Sequence, residues 1–307
     1  MGNELYNREL KWIELISGAL HVFSANFGAI LRVLLIVFLP ICLVESVIVD
    51  RVLSATVVLQ EFSAAANISA GEMDQVVELA KHLLINYGLL FAVALFLQPV
   101  GIIAIAKMTK QYIDGEEVKA GEAIMEAFNK MPAIFVTGLI FGVLVVLLSL
   151  PIIPGIYFGI AWGLYYYIIG LEDKSGMDAL RGSKNLVKGK WWRTFGYLWL
   201  LSAITMLWNT IFQLTCSLLG DTTAANMLYD FLCYISVAFT AVGETMLYLN
   251  RKALADGVRG WNYGSVPAEE DVPAEPVEGV VDGTAEEKAE EPTVGLLEEK
   301  KENKSEE

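Results

Sequence analysis

Six stretches of the chain stay apolar for about the length a helix needs to cross a bilayer, and nothing else in the sequence limits its fold as strongly. A hydrocarbon core about 30 Å thick takes about 20 helical residues. The spans read as residues 27–47, 83–106, 132–150, 154–171, 194–214 and 227–249. The closest pair is separated by "LSLPIIPGIY", where Pro151, Pro154 and Gly155 turn a stretch twice the necessary length into a hairpin. A hydrophobic content of 55% against 19% charged residues agrees with a polytopic membrane protein.

Charge is unevenly distributed, so its sum of −14 is less informative than its placement. From Asn262 onward there are fifteen acidic and four basic residues, which leaves −3 for everything before. That tail is rich in Pro, Glu, Val and Ala, without apolar periodicity, and reads as disordered. Lysine and arginine set the orientation. Fifteen lie in the N-terminal segment, the second and fourth connections and the end of the last span, against Arg51 and Lys81 on the other side. Both termini are therefore expected in the cytoplasm. Arg32, one turn inside the first span, can snorkel to the same side.

The resulting expectation is an all-α protein with six transmembrane helices plus interfacial amphipathic helices. Residues 1–26 form a cytoplasmic interfacial helix, with Trp12, Ile13, Ile16, Leu20 and Phe23 on one face and Lys11, Glu14, Gly18 and His21 opposite. Residues 27–255 form the six-helix domain and 256–307 the acidic tail. The segment from Asp50 to His82 is the one sizeable piece on the far side, and it reads as an amphipathic lead-in to the second span. No cleavable signal peptide is apparent, and "MGN" lacks the Ser or Thr of a myristoylation site.

The basic stretch "RGSKNLVKGKWWRTFG" invites comparison with a phosphate loop. Gly182 and Gly189 are too far apart, and Trp191 follows Lys190 where Ser or Thr is required. It reads instead as a surface helix. Met177, Leu180 and Val187 face the acyl boundary, Arg181, Lys184 and Lys188 face headgroups, and Gly189 ends the helix. Lys190, Trp191, Trp192 and Arg193 anchor the entry to the fifth span. Each such cation near an anionic leaflet contributes about 1 kcal/mol. Positive-inside bias alone also predicts such a loop.

Within the spans, Gly138 and Gly142 in the third and Gly155, Gly159 and Gly163 in the fourth recur every four residues, a pattern that lets backbones approach and close that hairpin. Ser202, Thr205, Asn209 and Gln213 share one face of the fifth span, and Cys233, Ser236, Thr240 and Glu244 one face of the sixth. Such faces avoid lipid and meet each other or a wet cavity. Gln98 precedes Pro99 in the second span, where the missing amide donor frees a carbonyl. Polar contacts of this kind serve either interhelical packing or a substrate path.

No H-E-x-x-H, G-x-S-x-G or paired cysteine framework is present, so neither a catalytic set, a metal site, a cofactor nor a nucleotide is expected. Cys42, Cys216 and Cys233 all fall in apolar runs.

Residues 150–204, "LPIIPGIYFGIAWGLYYYIIGLEDKSGMDALRGSKNLVKGKWWRTFGYLWLLSAI", resemble the membrane domain named for glycerophosphoryl diester phosphodiesterases and related bacterial inner-membrane proteins. The resemblance rests on the I-I-P-G-I hairpin at 152–156, Glu172 ending a span, the A-L-x-x-S-x-x-L-V-K-G element at 179–189 and the aromatic-basic entry at 191–193. More loosely it covers residues 10–255. It implies a six-span module in the inner membrane concerned with lipid or the envelope. It does not imply phosphodiesterase activity, which in the fused proteins belongs to a separate barrel of about 250 residues for which this chain has no room. Two functions follow as expectations. One is a non-enzymatic protein that binds or organises anionic lipid and supports a membrane-protein partner or a second copy of itself. The other is a small permease or lipid translocator using the polar faces of spans two, five and six. Nucleic acid is not an expected partner.

Overall fold

In the computed structural model, which describes residues 2–64, 69–149, 152–220 and 222–257, every regular element is a helix. The chain runs through α1 (Gly2–Asn7), α2 (Trp12–Ala25), α3 (Phe27–Val33), α4 (Leu39–Ala64), α5 (Ala70–Ala92), α6 (Gln98–Asp114) and α7 (Ala120–Asn129). It continues through α8 (Met131–Ser149), α9 (Ile152–Trp162), α10 (Tyr165–Glu172), α11 (Gly176–Val187), α12 (Trp191–Ser217) and α13 (Thr223–Ala255). Residues 258–307, which hold the acidic tail and Arg259, lie outside the described residues. Six segments are long and apolar enough to cross a membrane: Phe27–Phe62, Gly71–Asp114, Met131–Leu148, Ile153–Glu172, Trp191–Ser217 and Ala224–Ala255. The protein is an all-α polytopic membrane protein.

Two prolines shape the first two spans. Proline offers no amide to the carbonyl four residues back, and its ring crowds that carbonyl. Here the helix widens just before each one. The Leu39 amide bonds back to Leu34 and the Gln98 amide to Val93, so that π-helical turns at Leu34–Phe38 and Val93–Leu97 precede Pro40 and Pro99. α4 and α5 extend past the membrane length and pack on one another through Ile48, Val52, Ala55 and Leu83, so the lead-in reading holds for 70–82.

The fourth span is interrupted between α9 and α10, and α11 repairs the interruption. At the break the Leu164 amide donates to Ser183 Oγ at 3.1 Å, while that hydroxyl donates to the Ala161 carbonyl at 2.9 Å. One orphan donor and one orphan acceptor are thereby satisfied where lipid offers neither. α11 can come this close because residue 182 is glycine; a Cβ there would lie 2.9 Å from Ile168 Cδ1. This corrects the surface-helix expectation. Leu180 and Val187 are buried in the protein along with Ala179 and Ser183, and of the three residues assigned to the acyl boundary only Met177 remains exposed. Gly189, at φ +77, ends the turn after α11 as expected.

α2 also differs from its expected pattern. Leu15, Gly18, Ala19 and Val22 are buried against the bundle, whereas Trp12, Ile13 and Leu20 stay exposed, so the helix has two apolar faces and Gly18 is not on a solvated one. α7, which precedes the third span, buries Ala120, Ala123, Ile124 and Ala127 at helical spacing. α13 is the most buried of the spans and α12 the least.

The glycine pattern of the third and fourth spans works differently from expectation. Cβ atoms at Gly138 and Gly142 would meet Leu95 at 3.2 Å, on the second span, and one at Gly159 would meet nothing within 4 Å. Gly163 lies in the turn at the break and faces the carbonyls of Gly159 and Ile160. Close approach is needed instead at Gly101, where a Cβ would overlap the fully buried Phe38 ring. Gly101→Ala is expected to cost about 1–3 kcal/mol by overpacking, read as a lower unfolding temperature in detergent, while Gly159→Ala leaves that temperature unchanged or raises it.

Candidate functional site

The polar faces of the last two spans face each other across a cavity of about 360 Å3. On α13, Ser236, Thr240 and Glu244 fall on one face at four-residue steps, and Thr205 and Asn209 do the same on α12. Ile102 of α6, Gly163 at the break and Tyr166 and Tyr167 of α10 form the opposite wall. Ser236 Oγ donates to Asn209 Oδ1 at 2.7 Å and joins the two spans at one end. The Tyr167 hydroxyl donates to Glu244 Oε2 at 2.7 Å. Thr205 and Thr240 donate to the carbonyls of Ser202 and Ser236 one turn back on their own helices.

Of the other polar residues anticipated inside the spans, Ser202 is exposed outside this cavity and Gln213 faces a different one. Gln98 belongs to a third arrangement. Its Nε2 donates to Glu45 Oε1 at 3.1 Å and to the Tyr234 hydroxyl at 3.3 Å, and Tyr234 in turn donates to Glu45. Through these bonds the Gln98 side chain bridges spans one, two and six. Gln213 lines a cavity of about 420 Å3 at the end of the bundle away from the termini, together with Asp50, Asp230, Ser46 and Asn226.

At the end of the bundle that holds α1 and α2, the seven residues expected at headgroups separate into two groups. Glu9 gathers Lys190 at 3.1 Å, Arg193 at 2.9 Å and Arg251 at 2.6 Å, and Arg193 also donates to the Leu10 carbonyl. Trp191 stacks between Tyr157 and Phe195 and donates to the Tyr157 carbonyl at 3.1 Å. Arg181, Lys184, Lys188 and Trp192 remain exposed; Arg181 lies 3.6 Å from Asp178 and Lys184 sits over the Phe158 ring. The buried Asn250 side chain holds the same N-terminal segment through the carbonyls of Leu5 and Arg8. Burial opposes ionisation of Glu9, but the Lys190 hydrogen bond and the charges of Arg251, Lys190 and Arg193 outweigh it and hold the carboxyl below its usual range.

Sequence reasoning missed Asp230, Tyr234, Tyr167 and Glu9. Asp230 lies three residues before Cys233 and extends the polar face of α13, a signal present in the spacing. The tyrosines read as apolar in a hydropathy pattern, and the reach of Glu9 to three distant cations is a tertiary fact. Among the described residues, no group of three His, Cys, Asp or Glu is placed to hold a metal ion.

Residues 73–255, more than half of the chain, match the family described as Domain of unknown function (DUF8558). The match spans every residue lining the cavity at Glu244 and excludes α1 to α4. No curated protein and no solved structure matches.

Because the Glu9 carboxyl is depressed in the folded protein, its contribution is fully present above the ordinary carboxylate value of about 4.3 and is lost as pH falls through the lower folded value. Glu9→Gln is accordingly expected to expose the 1–11 segment to protease at pH 7, whereas the wild type resists at pH 7 and at pH 5. Equal cleavage of variant and wild type at pH 7 would contradict the clamp.

Proposed function

For this chain, which belongs to a family of unknown function, we propose a small permease or lipid translocator that binds a polar or amphiphilic solute inside the membrane. The observation that carries the reading is Glu244, an ionisable side chain in the sixth span that faces the 360 Å3 cavity and has Tyr167 as its one described hydrogen-bond partner. An ionisable group within the bilayer is expensive and marks a ligand or ion path by default. Neutral pairs such as Ser236 with Asn209, which joins α13 to α12, hold helices together at lower desolvation cost than an ionisable group does. Fifteen basic residues against two make the end bearing Glu9 the cytoplasmic one in this reading, in a cytoplasmic membrane.

Two measurements test it. With Cys42, Cys216 and Cys233 replaced by Ala, Thr240→Cys should react in native membranes with a small neutral methanethiosulfonate, while Ala238→Cys, at a fully buried position, does not. An unreactive Thr240→Cys would mean a sealed cavity and remove the proposal. Glu244→Gln keeps a group for the Tyr167 hydroxyl and removes the charge, so the unfolding temperature should hold or rise. A fall of several degrees would assign Glu244 to packing.

The second reading, attachment to anionic lipid, is favoured by Trp192 at 76% exposure beside the open cations Arg181, Lys184 and Lys188. Replacing those three cations by Gln should lower the anionic lipid retained after purification; unchanged retention leaves them a role in topology only.

A further inference from the structure

The cavity at Glu244 has a chemical polarity that names its ligand class. Its hydroxyl donors are largely spent inside the protein: Thr205 and Thr240 on backbone carbonyls, Ser236 on Asn209, Tyr167 on Glu244. What these groups turn toward the space is oxygen lone pairs, with the second Glu244 oxygen among them. No lysine, arginine or histidine lines the cavity, and none among the described residues is within ion-pair distance of Glu244. The volume far exceeds one metal ion or water, and the walls add the Tyr166 and Tyr167 rings with Ile102, Val237 and Ala241.

The end of the bundle opposite α1 and α2 has the same sign. The 420 Å3 cavity there is lined by Asp50 and Asp230, with no basic side chain in its lining. Next along the bundle lies the Glu45, Gln98 and Tyr234 cluster. From Asp230 to Glu244 along α13 is about 21 Å at the rise of an α-helix. At the end holding α1 and α2 the carboxylates are instead paired with cations, Asp114 with Lys110, Glu172 with Lys252 and Glu9 with Lys190, Arg193 and Arg251.

We propose that the ligand of the Glu244 cavity is an organic cation bearing N–H donors, a protonated amine, admitted from the end opposite α1 and α2 past Asp50 and Asp230. This rests on the cavity being a solute site. Apart from the Asn209 amide the lining offers few free donors, and an ammonium group brings a counter-charge for the carboxylate, donors for the lone pairs and an attraction to the tyrosine faces. An anionic ligand meets a like charge in a low-dielectric setting.

The test compares 2-aminoethyl methanethiosulfonate with its 2-sulfonatoethyl counterpart on the Thr240→Cys protein described above, each rate normalised to that with a free thiol. The ammonium reagent should react about tenfold faster or more, and the preference should collapse when Glu244→Gln is added. In sealed vesicles of one orientation, Asp230→Asn should slow the ammonium reagent applied from the face bearing Asp50. Equal rates, or faster sulfonate reaction, overturn the proposal. So does reaction with the neutral reagent and with neither charged one, which leaves the cavity standing as a solute site. Failure of the neutral reagent as well removes the solute site itself.

Discussion

The bridge that Ser183 makes between the Leu164 amide and the Ala161 carbonyl explains more of this structure than any apolar contact does. A helix broken inside a membrane leaves backbone groups that lipid cannot satisfy, so the break must be covered by protein. Covering it draws α11 into the bundle, where Gly182 comes close to Ile168 and Leu180 and Val187 are buried. The covered break then turns α10 so that Tyr167 reaches Glu244 and Gly163 opens onto the cavity. At Pro40 and Pro99, by contrast, the helix widens into a π turn just before the proline and continues.

Charge is partitioned along the bundle by what each carboxylate meets. At the terminal end, acids pair with bases: Glu9 with three cations, Glu172 with Lys174 and Lys252, Asp114 with Lys110, and Asp173 with Lys130. Inside the bundle Glu45 accepts from Gln98 and Tyr234 and Glu244 accepts from Tyr167, while at the far end Asp50 and Asp230 line open space and Glu78 pairs with Lys81. Neutral donors orient a carboxylate without cancelling its charge.

Much of this was legible in the sequence. Span count, helical class and the alignment of Thr205 with Asn209 and of Ser236 with Thr240 and Glu244 follow from length and from a period of 3.6, which are local properties. The sense of an amphipathic face is not local. α11 has the pattern of a surface helix, and only the break in its neighbour decides that its apolar side meets protein and not lipid. Gly138 and Gly142 are likewise small-residue steps whose partner, Leu95, no spacing rule identifies. Glu9 looks like one more solvated acid until three segments converge on it.

The cavity exists because α12 meets α13 closely at two places and not between them. Near one end Leu201 rests on Gly243, with 3.0 Å to a Cβ placed there, and the Tyr197 hydroxyl bonds the Gly243 carbonyl. Near the other, Asn209 accepts from Ser236. Thr205 and Thr240 lie opposite each other in the interval, with side chains too short to fill it. On its far side α12 carries Trp199, Met206, Leu207 and Ile211, all exposed, which suit lipid. Its first turns are tied elsewhere, Trp191 to Tyr157 and Arg193 to Glu9 and the Leu10 carbonyl, but beyond them α12 is the least buried span, and the interval between its two close approaches to α13 stays open.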